Sequence, residues 1–160
     1  MDRFERLASA LRRIPGLEVR ENEPMKRHTT FRIGGPARLM ALPRSRKEAA
    51  AAVRAATEAG IAPFFLGNGS NLLVADHGYE GFVLKACGLD QVREVNRRLR
   101  AESGITLARL ANAALGRGLT GLEFAHGIPG TLGGAVVMNA GAYGGEMVQV
   151  LTAVTYLDGA

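Results

Sequence analysis

The chain has 160 residues, of which 47% are hydrophobic, and this is sufficient for one globular domain or two small subdomains. Its 20 lysines and arginines outnumber its 15 acidic residues, and the resulting net charge of +5 favours anionic partners. The single cysteine, Cys87, excludes an internal disulfide and a cysteine cluster for metal, and no apolar stretch has the length of a membrane span. A cytoplasmic location is expected.

The basic charge raises the question of nucleic acid. A nucleic-acid interface combines basic side chains with stacking aromatic ones, whereas aromatic residues make up 6% of this chain and the densest basic cluster, Arg93–Arg100, contains none. A phosphorylated small molecule suits the charge at least as well. The histidines His28, His77 and His126 show no metal-ligand spacing, so no metal is expected.

The N-terminal part predicts one helix and two short strands. Apolar residues recur at helical spacing over residues 4–11, and Asp2 precedes them as a possible N-cap. Residues 19–25 are polar and predict irregular structure. Strands are expected at 29–33 and 37–42, on either side of a glycine pair.

A second helix and a strand come next. Ser45 and Glu48 have the spacing of a capping box, and residues 49–59 form a strong helix-forming run that ends at Gly60. A short apolar strand is expected at 62–66.

A glycine-rich loop, Gly67–Asn71, leads from this strand into another expected strand at 72–74. A dinucleotide fingerprint of the Rossmann type needs a glycine where Leu72 stands and a helix behind the loop, so that fold is disfavoured. Two interpretations remain open. The loop is an anion nest, whose backbone N–H groups, Ser70 hydroxyl and Asn68 and Asn71 amides bind phosphate, or it is a polar hairpin connection.

The second half predicts a strand at 81–85, a hairpin over 92–101 and a helix capped by Thr106. Alternating apolar residues over 148–156 predict a last strand, which stops at Asp158-Gly159. Because this turn signal has no return strand behind it, the pattern predicts that the chain is cut from something longer.

Glycine is most concentrated in one nearly uncharged run, Gly127–Glu146. Such a run fits either close approach by a ligand or a small-residue contact between a helix and a sheet. The polar residues Thr131, Asn139 and Tyr143 within it favour the ligand, because tight packing alone does not require them.

Three motifs, in this order along the chain, carry a resemblance to a known family. They are TTFRIGGPA at Thr29–Ala37, GNGSNLLV at Gly67–Val74 with Asp76, and the stretch Gly121–Gly144, which contains GLEFA, GIPGTLGGAV and MNAGAYG. Together they make the chain resemble the UDP-N-acetylenolpyruvoylglucosamine reductases, called MurB, over almost its whole length. Each motif alone is a weak signal, whereas three in the right order are specific.

The resemblance implies an α+β fold of the FAD-binding vanillyl-alcohol-oxidase (PCMH) type, with two α/β subdomains and no Rossmann fold. Residues 1–66 would form the first subdomain and residues 67–160 the second, and the family's substrate-binding domain is expected outside this chain. By motif, two glycine segments would hold the FAD pyrophosphate, and residues 139–143 would lie near the ribityl and isoalloxazine groups. The implied cofactor-binding residues are Gly67, Asn68, Gly69, Ser70, Asn71, Leu72, Pro129, Gly130, Thr131, Gly133, Gly134, Asn139, Gly141, Ala142 and Tyr143.

The resemblance also implies an oxidoreductase reaction in peptidoglycan synthesis. NADPH would reduce FAD, and reduced FAD would reduce the enolpyruvyl double bond of the small-molecule substrate, UDP-N-acetylglucosamine enolpyruvate, to give UDP-N-acetylmuramate. The catalytic arginine, serine and glutamate are expected beyond Ala160, so this chain is expected to be a FAD-binding portion without them. The full-length protein would be a monomer with no nucleic-acid or membrane partner. The alternatives are another flavoprotein oxidoreductase of the same fold and a basic nucleic-acid-binding protein.

Overall fold

The computed structural model describes residues 2–157, in two compact units that divide between Leu89 and Asp90. The sequence had suggested a division at 66/67 instead. The difference arises at strand β4 (Tyr79–Lys85), which lies between β2 (Pro36–Leu42) and β3 (Pro63–Leu66) and pairs in parallel with both. The segment after residue 66 therefore completes the sheet of the first unit.

The first unit is built on a four-stranded sheet in the order β1-β2-β4-β3, in which β1 (Glu18–Pro24) pairs antiparallel with β2. Side chains alternate between the two faces of the sheet. On one face, Leu39 and Phe82 belong to the core cluster that also contains the apolar residues of α1 (Arg3–Arg12) and α2 (Arg46–Glu58). Met40 and Val83, one position along each strand, belong to a second cluster.

Local signals define both helices of this unit, as predicted. Asp2 caps α1 through a capping box with Glu5. Ser45 caps α2 by accepting the Glu48 N–H at 3.2 Å, although the Glu48 carboxylate binds the N–H of Arg44 and not that of Ser45. The helix ends before Gly60, which has a φ of +66°.

Three predicted segments of the first unit are wrong. Residues 19–25 were expected to be irregular, but most of them form β1, because pairing with β2 overrides their polar composition. Residues 29–33 form a turn, closed by a hydrogen bond from the Arg32 N–H to the Thr29 carbonyl at 3.2 Å. Residues 72–74 are a loop in which Leu72 and Val74 pack against the second cluster without joining the sheet, while Leu73 is exposed.

The second unit contains the predicted hairpin, β5 (Val92–Val95) and β6 (Arg98–Ala101). Its two turn residues have positive φ angles of 50° and 57°, as a tight hairpin requires. The predicted helix is α3 (Leu107–Leu115), capped by the Thr106 hydroxyl.

The glycine-rich run forms α4 (Leu132–Met138) and a small hairpin, β7 (Gly141–Ala142) and β8 (Gly145–Glu146), and α5 (Met147–Val150) follows. One buried cluster joins α4 and α5 to α3; it consists of Leu107, Phe124, Ala125, Ala135 and Met147.

The strand predicted at 148–156 is also wrong. Glu146 and Gln149 form a capping box that begins the short helix α5, and residues 151–157 have no regular structure. The predicted turn at Asp158-Gly159 lies outside the described residues. Across 2–157, no helix combines the length and the apolar character needed to cross a bilayer.

Candidate functional site

The loop Gly67–Asn71 lies in the first unit, directly after β3. Its centre is Gly69, a buried residue with a φ of +67°. The Gly69 carbonyl accepts a hydrogen bond from the Thr30 N–H at 3.1 Å. A Cβ atom at Gly69 would lie 2.0 Å from the carbonyl oxygen of His28, so packing against the chain itself requires glycine here.

The same loop presents a row of free donors. Within residues 2–157, the backbone N–H groups of residues 68–71 donate no hydrogen bond, and Ser70 and Asn71 lie in a hydrogen-bonded turn. The side chains of Asn68 and Asn71 are exposed, and Ser70 is half-buried. The side chain of Leu72 packs against the second cluster, which leaves only its backbone for a ligand. Successive N–H groups around a positive-φ glycine suit phosphate oxygens. The alternative of a hairpin connection fails, because residues 72–74 form no strand and the next strand, β4, pairs with β3 in parallel.

The second glycine segment, 129–134, lies in the other unit. Part of its backbone is already paired. Leu107 donates its N–H to the Gly130 carbonyl at 3.0 Å, while Leu132 and Gly133 donate to the carbonyls of residues 105 and 103 at 2.8 and 2.7 Å. Among the described residues, the N–H groups of Gly130, Thr131 and Gly134 have no acceptor. Pro129 supplies no N–H.

The two glycines at the start of α4 differ in their surroundings. A Cβ atom at Gly133 would lie 2.8 Å from the Cβ atom of Ser103, so glycine is needed there for packing. At Gly134, the nearest heavy atom would be the Thr131 hydroxyl oxygen, at 3.6 Å, which is ordinary contact. The small-residue interpretation of the run therefore applies to Gly133, and space for a ligand remains beside Gly134.

Asn139 ends α4 in the left-handed conformation, with a φ of 44°. Its side-chain amide donates to the Glu146 carboxylate at 2.9 Å, and its side-chain carbonyl accepts the Val148 N–H at 3.0 Å. Both ends of the Asn139 side chain are thus used inside the unit. Gly141 faces the carbonyl of Gly145, which a Cβ atom would approach to 2.8 Å.

Tyr143 and Gly144 form the turn between β7 and β8, with φ angles of 53° and 82°. Tyr143 is 96% exposed, and Ala142 before it is half-buried. An open cavity of about 510 Å³ lies beside the turn. Its walls are Gly121, Glu123, Phe124, Tyr143, Gly144, Gly145 and Gln149. Glycine at 145 keeps this hairpin against Phe124, because a Cβ atom would lie 2.6 Å from the ring.

A buried polar cluster next to the first loop was not predicted. The His28 ring lies between two charged groups, with Nε2 2.8 Å from the Glu23 carboxylate and Nδ1 2.8 Å from the Lys85 ammonium. Both His28 and Glu23 are buried, at 7% exposure. These residues come from β1, the segment after it and β4, so no spacing pattern in the sequence connects them.

Burial and charge shift the pKa values in this cluster. Burial lowers the pKa of His28, the Lys85 charge lowers it further, and the hydrogen bond to Glu23 opposes both. Burial also lowers the pKa of Lys85. Burial raises the pKa of Glu23, but hydrogen bonds from His28 and Arg20 outweigh it and leave that pKa lowered. Neutral His28 between charged Glu23 and Lys85 fits these directions.

The sequence-predicted site residues therefore fall into two groups, one in each unit. Loop 67–72 offers donors without acceptors, which fits the phosphates of a dinucleotide cofactor. Segment 129–143 offers fewer donors, and part of its glycine content serves internal packing.

Comparisons with known proteins agree with this arrangement. The family model for the FAD binding domain matches residues 37–160. The UDP-N-acetylenolpyruvoylglucosamine reductase of Caldanaerobacter subterraneus subsp. tengcongensis is 53% identical over 137 residues, which are 86% of this chain and 45% of the relative. The crystal structure of the reductase (MurB) from Thermus caldophilus superimposes with a TM-score of 0.72 at 38% identity, over 90% of this chain and 50% of that one. The chain spans about half the length of the relatives it matches.

A more distant likeness identifies the fold alone. p-Cresol methylhydroxylase, solved with substrate bound, matches with a TM-score of 0.55 at 11% identity, over 73% of this chain and 25% of that one. The predicted resemblance to the reductases and the predicted fold are thus both confirmed. The chain belongs to the FAD binding domain family and has the flavin-binding fold of the vanillyl-alcohol-oxidase (PCMH) type.

Proposed function

We propose that this chain binds FAD and that loop 67–72 holds the pyrophosphate of the cofactor. The observation that carries the proposal is the row of backbone N–H groups from residue 68 to residue 71, which have no acceptor within the described chain. A pyrophosphate brings oxygens that accept such hydrogen bonds, and a glycine-centred turn keeps bulky side chains out of their way.

The second segment has cofactor-binding features of its own. The N–H groups of Gly130, Thr131 and Gly134 lack acceptors among the described residues, and Gly134 leaves space for a ligand. The exposed ring of Tyr143 is available to contact the flavin. The side chain of Asn139 contributes by holding this segment in place, because both of its polar ends are already paired.

FAD binding is tested by adding a negative charge to the loop. Asn71→Asp keeps the size of an exposed side chain but places a carboxylate beside the proposed phosphate site. We expect like-charge repulsion to weaken FAD binding about tenfold, measured by quenching of flavin fluorescence. Asn112→Asp makes the same exchange at an exposed position on α3 and is the matched control. Equal affinities of the two variants, or no FAD binding by the unmodified chain, would contradict the proposal.

For the whole protein we propose the reductase activity that its relatives are named for, and we further propose that NADPH is the hydride donor, that UDP-N-acetylmuramate is the product, and that the protein works in the cytoplasm as a monomer. The identity of 53% to a reductase supports this assignment. The hydride chemistry is supplied by FAD. The part that we assign to these 160 residues is to bind and orient the cofactor. Ser103 and Glu146 have structural roles, since Ser103 contacts Gly133 and Glu146 accepts from Asn139.

The proposal that these 160 residues bind the cofactor but do not complete the reaction is tested separately. The chain, loaded with FAD, is mixed with NADPH and the enolpyruvyl UDP-sugar, and NADPH oxidation is followed by absorbance. We expect no oxidation that depends on the sugar, because proton transfer needs a positioned acid that the described residues do not place at the site. Sugar-dependent turnover by the 160-residue chain would show that its own residues complete the reaction.

A further inference from the structure

We propose that His28 is a positioning residue for loop 67–72 and that a neutral imidazole at this position is required for tight FAD binding. The inference rests on the proposed function and deepens it. The imidazole is part of the buried cluster with Glu23 and Lys85, and it acts on the cofactor through the backbone.

The backbone connection runs through Gly69. The carbonyl oxygen of His28 and the Cα atom of Thr29 lie 2.0 and 3.0 Å from where a Cβ atom of Gly69 would stand. The Thr30 N–H donates to the Gly69 carbonyl at 3.1 Å. Residues 28–30 therefore form the surface on which the centre of the loop lies. A movement of this turn moves the N–H groups that the proposed pyrophosphate site uses.

The side chain of His28 fixes the position of this turn. The neutral ring with its hydrogen on Nε2 donates to the Glu23 carboxylate, and its Nδ1 lone pair accepts from the Lys85 ammonium, each at 2.8 Å. Glu23 lies on β1 and Lys85 at the end of β4, so the imidazole ties the turn to two strands of the sheet. The His28 N–H adds a hydrogen bond to the Met25 carbonyl at 2.8 Å.

Protonation of His28 breaks this arrangement. A proton on Nδ1 removes the acceptor of Lys85 and brings two cations to hydrogen-bond distance. The charged and titratable groups that face the ring or its partners are Glu23 and Arg20 from β1, Lys85 from β4, and the Cys87 thiol, which interacts with Lys85. Glu23 favours the proton, whereas burial, Lys85 and Arg20 oppose it. The ring is therefore neutral at neutral pH and becomes charged only below the ordinary histidine range of about 6.5.

The sign of the pH effect follows. FAD affinity is highest where His28 is neutral and falls as the pH drops through its lowered pKa. We expect the dissociation constant of FAD, from flavin fluorescence, to rise about tenfold between about pH 7.5 and a pH below the midpoint that NMR gives for the His28 ring. Circular dichroism at both values verifies that the chain remains folded. A dissociation constant that is the same at both values would overturn the proposal.

Two variants separate positioning from general stability. In His28→Asn the side-chain oxygen can still accept from Lys85 but no longer titrates, so affinity at neutral pH stays within about threefold and the pH dependence disappears. His28→Leu leaves Glu23 and Lys85 without their ring partner and weakens binding about tenfold at every pH. His77→Asn, at an exposed histidine of the same unit, keeps the pH profile of the unmodified chain. A pH dependence that persists in His28→Asn would refute the role of His28.

A measurement without FAD tests the connection directly. In NMR spectra of the cofactor-free chain, the backbone amide resonances of Thr30 and Gly69 should titrate with the same midpoint as the His28 ring. Different midpoints would refute the link. If the unmodified chain binds no FAD at any pH, the proposed function fails, and this titration alone then decides whether His28 sets the conformation of the loop.

Discussion

At the scale of single residues, the glycines of the motifs are present for two different reasons. Gly69 and Gly133 lie so close to neighbouring backbone or side-chain atoms that no larger residue fits, so the fold itself requires them. A Cβ atom added at Gly134 would lie 3.6 Å from its nearest neighbour, which is ordinary contact. The fold alone therefore does not explain glycine there. The two glycine segments thus contain glycines that the packing of the chain requires and a glycine that leaves room for a ligand.

This difference in surroundings predicts how an alanine substitution affects stability at two glycines with nearly the same φ angle. Gly60 and Gly69 have φ angles of +66° and +67°, but only Gly69 has atoms within reach of a new Cβ. Gly60→Ala should lose about 1 kcal/mol of unfolding free energy, from the positive φ alone. Gly69→Ala should lose about 3 kcal/mol, because the His28 carbonyl must also move. Urea unfolding measures both, and equal losses would show that the close contact is not limiting.

At the scale of elements, the glycine-rich run is held together by one side chain. Asn139 ends α4 and hydrogen-bonds to Glu146, at the end of β8, and to the backbone of Val148 in α5. It therefore fixes three short elements, none of which is long enough to be stable alone. A residue that the motif assigned to the cofactor turns out to organise the segment around it.

Asn139→Gly tests this function. Glycine keeps the positive φ of 44° without strain, so the loss measured is that of the two side-chain hydrogen bonds, about 1 to 3 kcal/mol. Asn96→Gly is the matched control, because Asn96 has a φ of 50° in the β5–β6 turn and an exposed side chain. That change should alter the unfolding free energy by less than about 0.5 kcal/mol. A similar loss in both variants would mean that the Asn139 hydrogen bonds contribute little.

The sequence was a good guide to elements whose signals are local. Asp2 and Ser45 mark the starts of α1 and α2, and the turn of the β5–β6 hairpin is visible in its own residues. It misled where a distant partner decides, and where two local signals compete. Polar β1 is a strand because β2 lies beside it, and the alternating residues after Glu146 begin a helix because of a capping box.

The candidate site divides in the same way. Its glycine loops are contiguous and can be recognised in the sequence, whereas the cluster around His28 joins residues 23, 28 and 85. Only the folded sheet brings these three residues together, because β1 and β4 are distant in the chain and both flank β2. No local pattern of residue types therefore predicted it.

At the scale of the whole molecule, the first unit has the features of an independent folding unit. It has its own four-stranded sheet, with a cluster of buried apolar residues on each face. The central strands β2 and β4 run parallel, and β4 is the last strand of the unit to be made. The sheet is therefore complete only when the chain has passed Lys85.

Two fragments test where this unit ends. Residues 1–89 contain all four strands and should give a cooperative urea unfolding transition, followed by circular dichroism. Residues 1–66 lack β4, so β3 loses its only partner and both clusters lose residues of that strand. This shorter fragment should unfold without cooperativity. A cooperative transition in 1–66, or its absence in 1–89, would place the boundary elsewhere.

The turn at Tyr143 also gives the molecule an optical property. The chain has three tyrosines and no tryptophan, so its ultraviolet emission comes from phenol rings alone. Tyr143 is 96% exposed at the tip of its hairpin, so its ring is in contact with solvent. Tyr143 therefore reports on this hairpin by its fluorescence. A group that absorbs at the tyrosine emission wavelength and binds against the hairpin will quench that fluorescence.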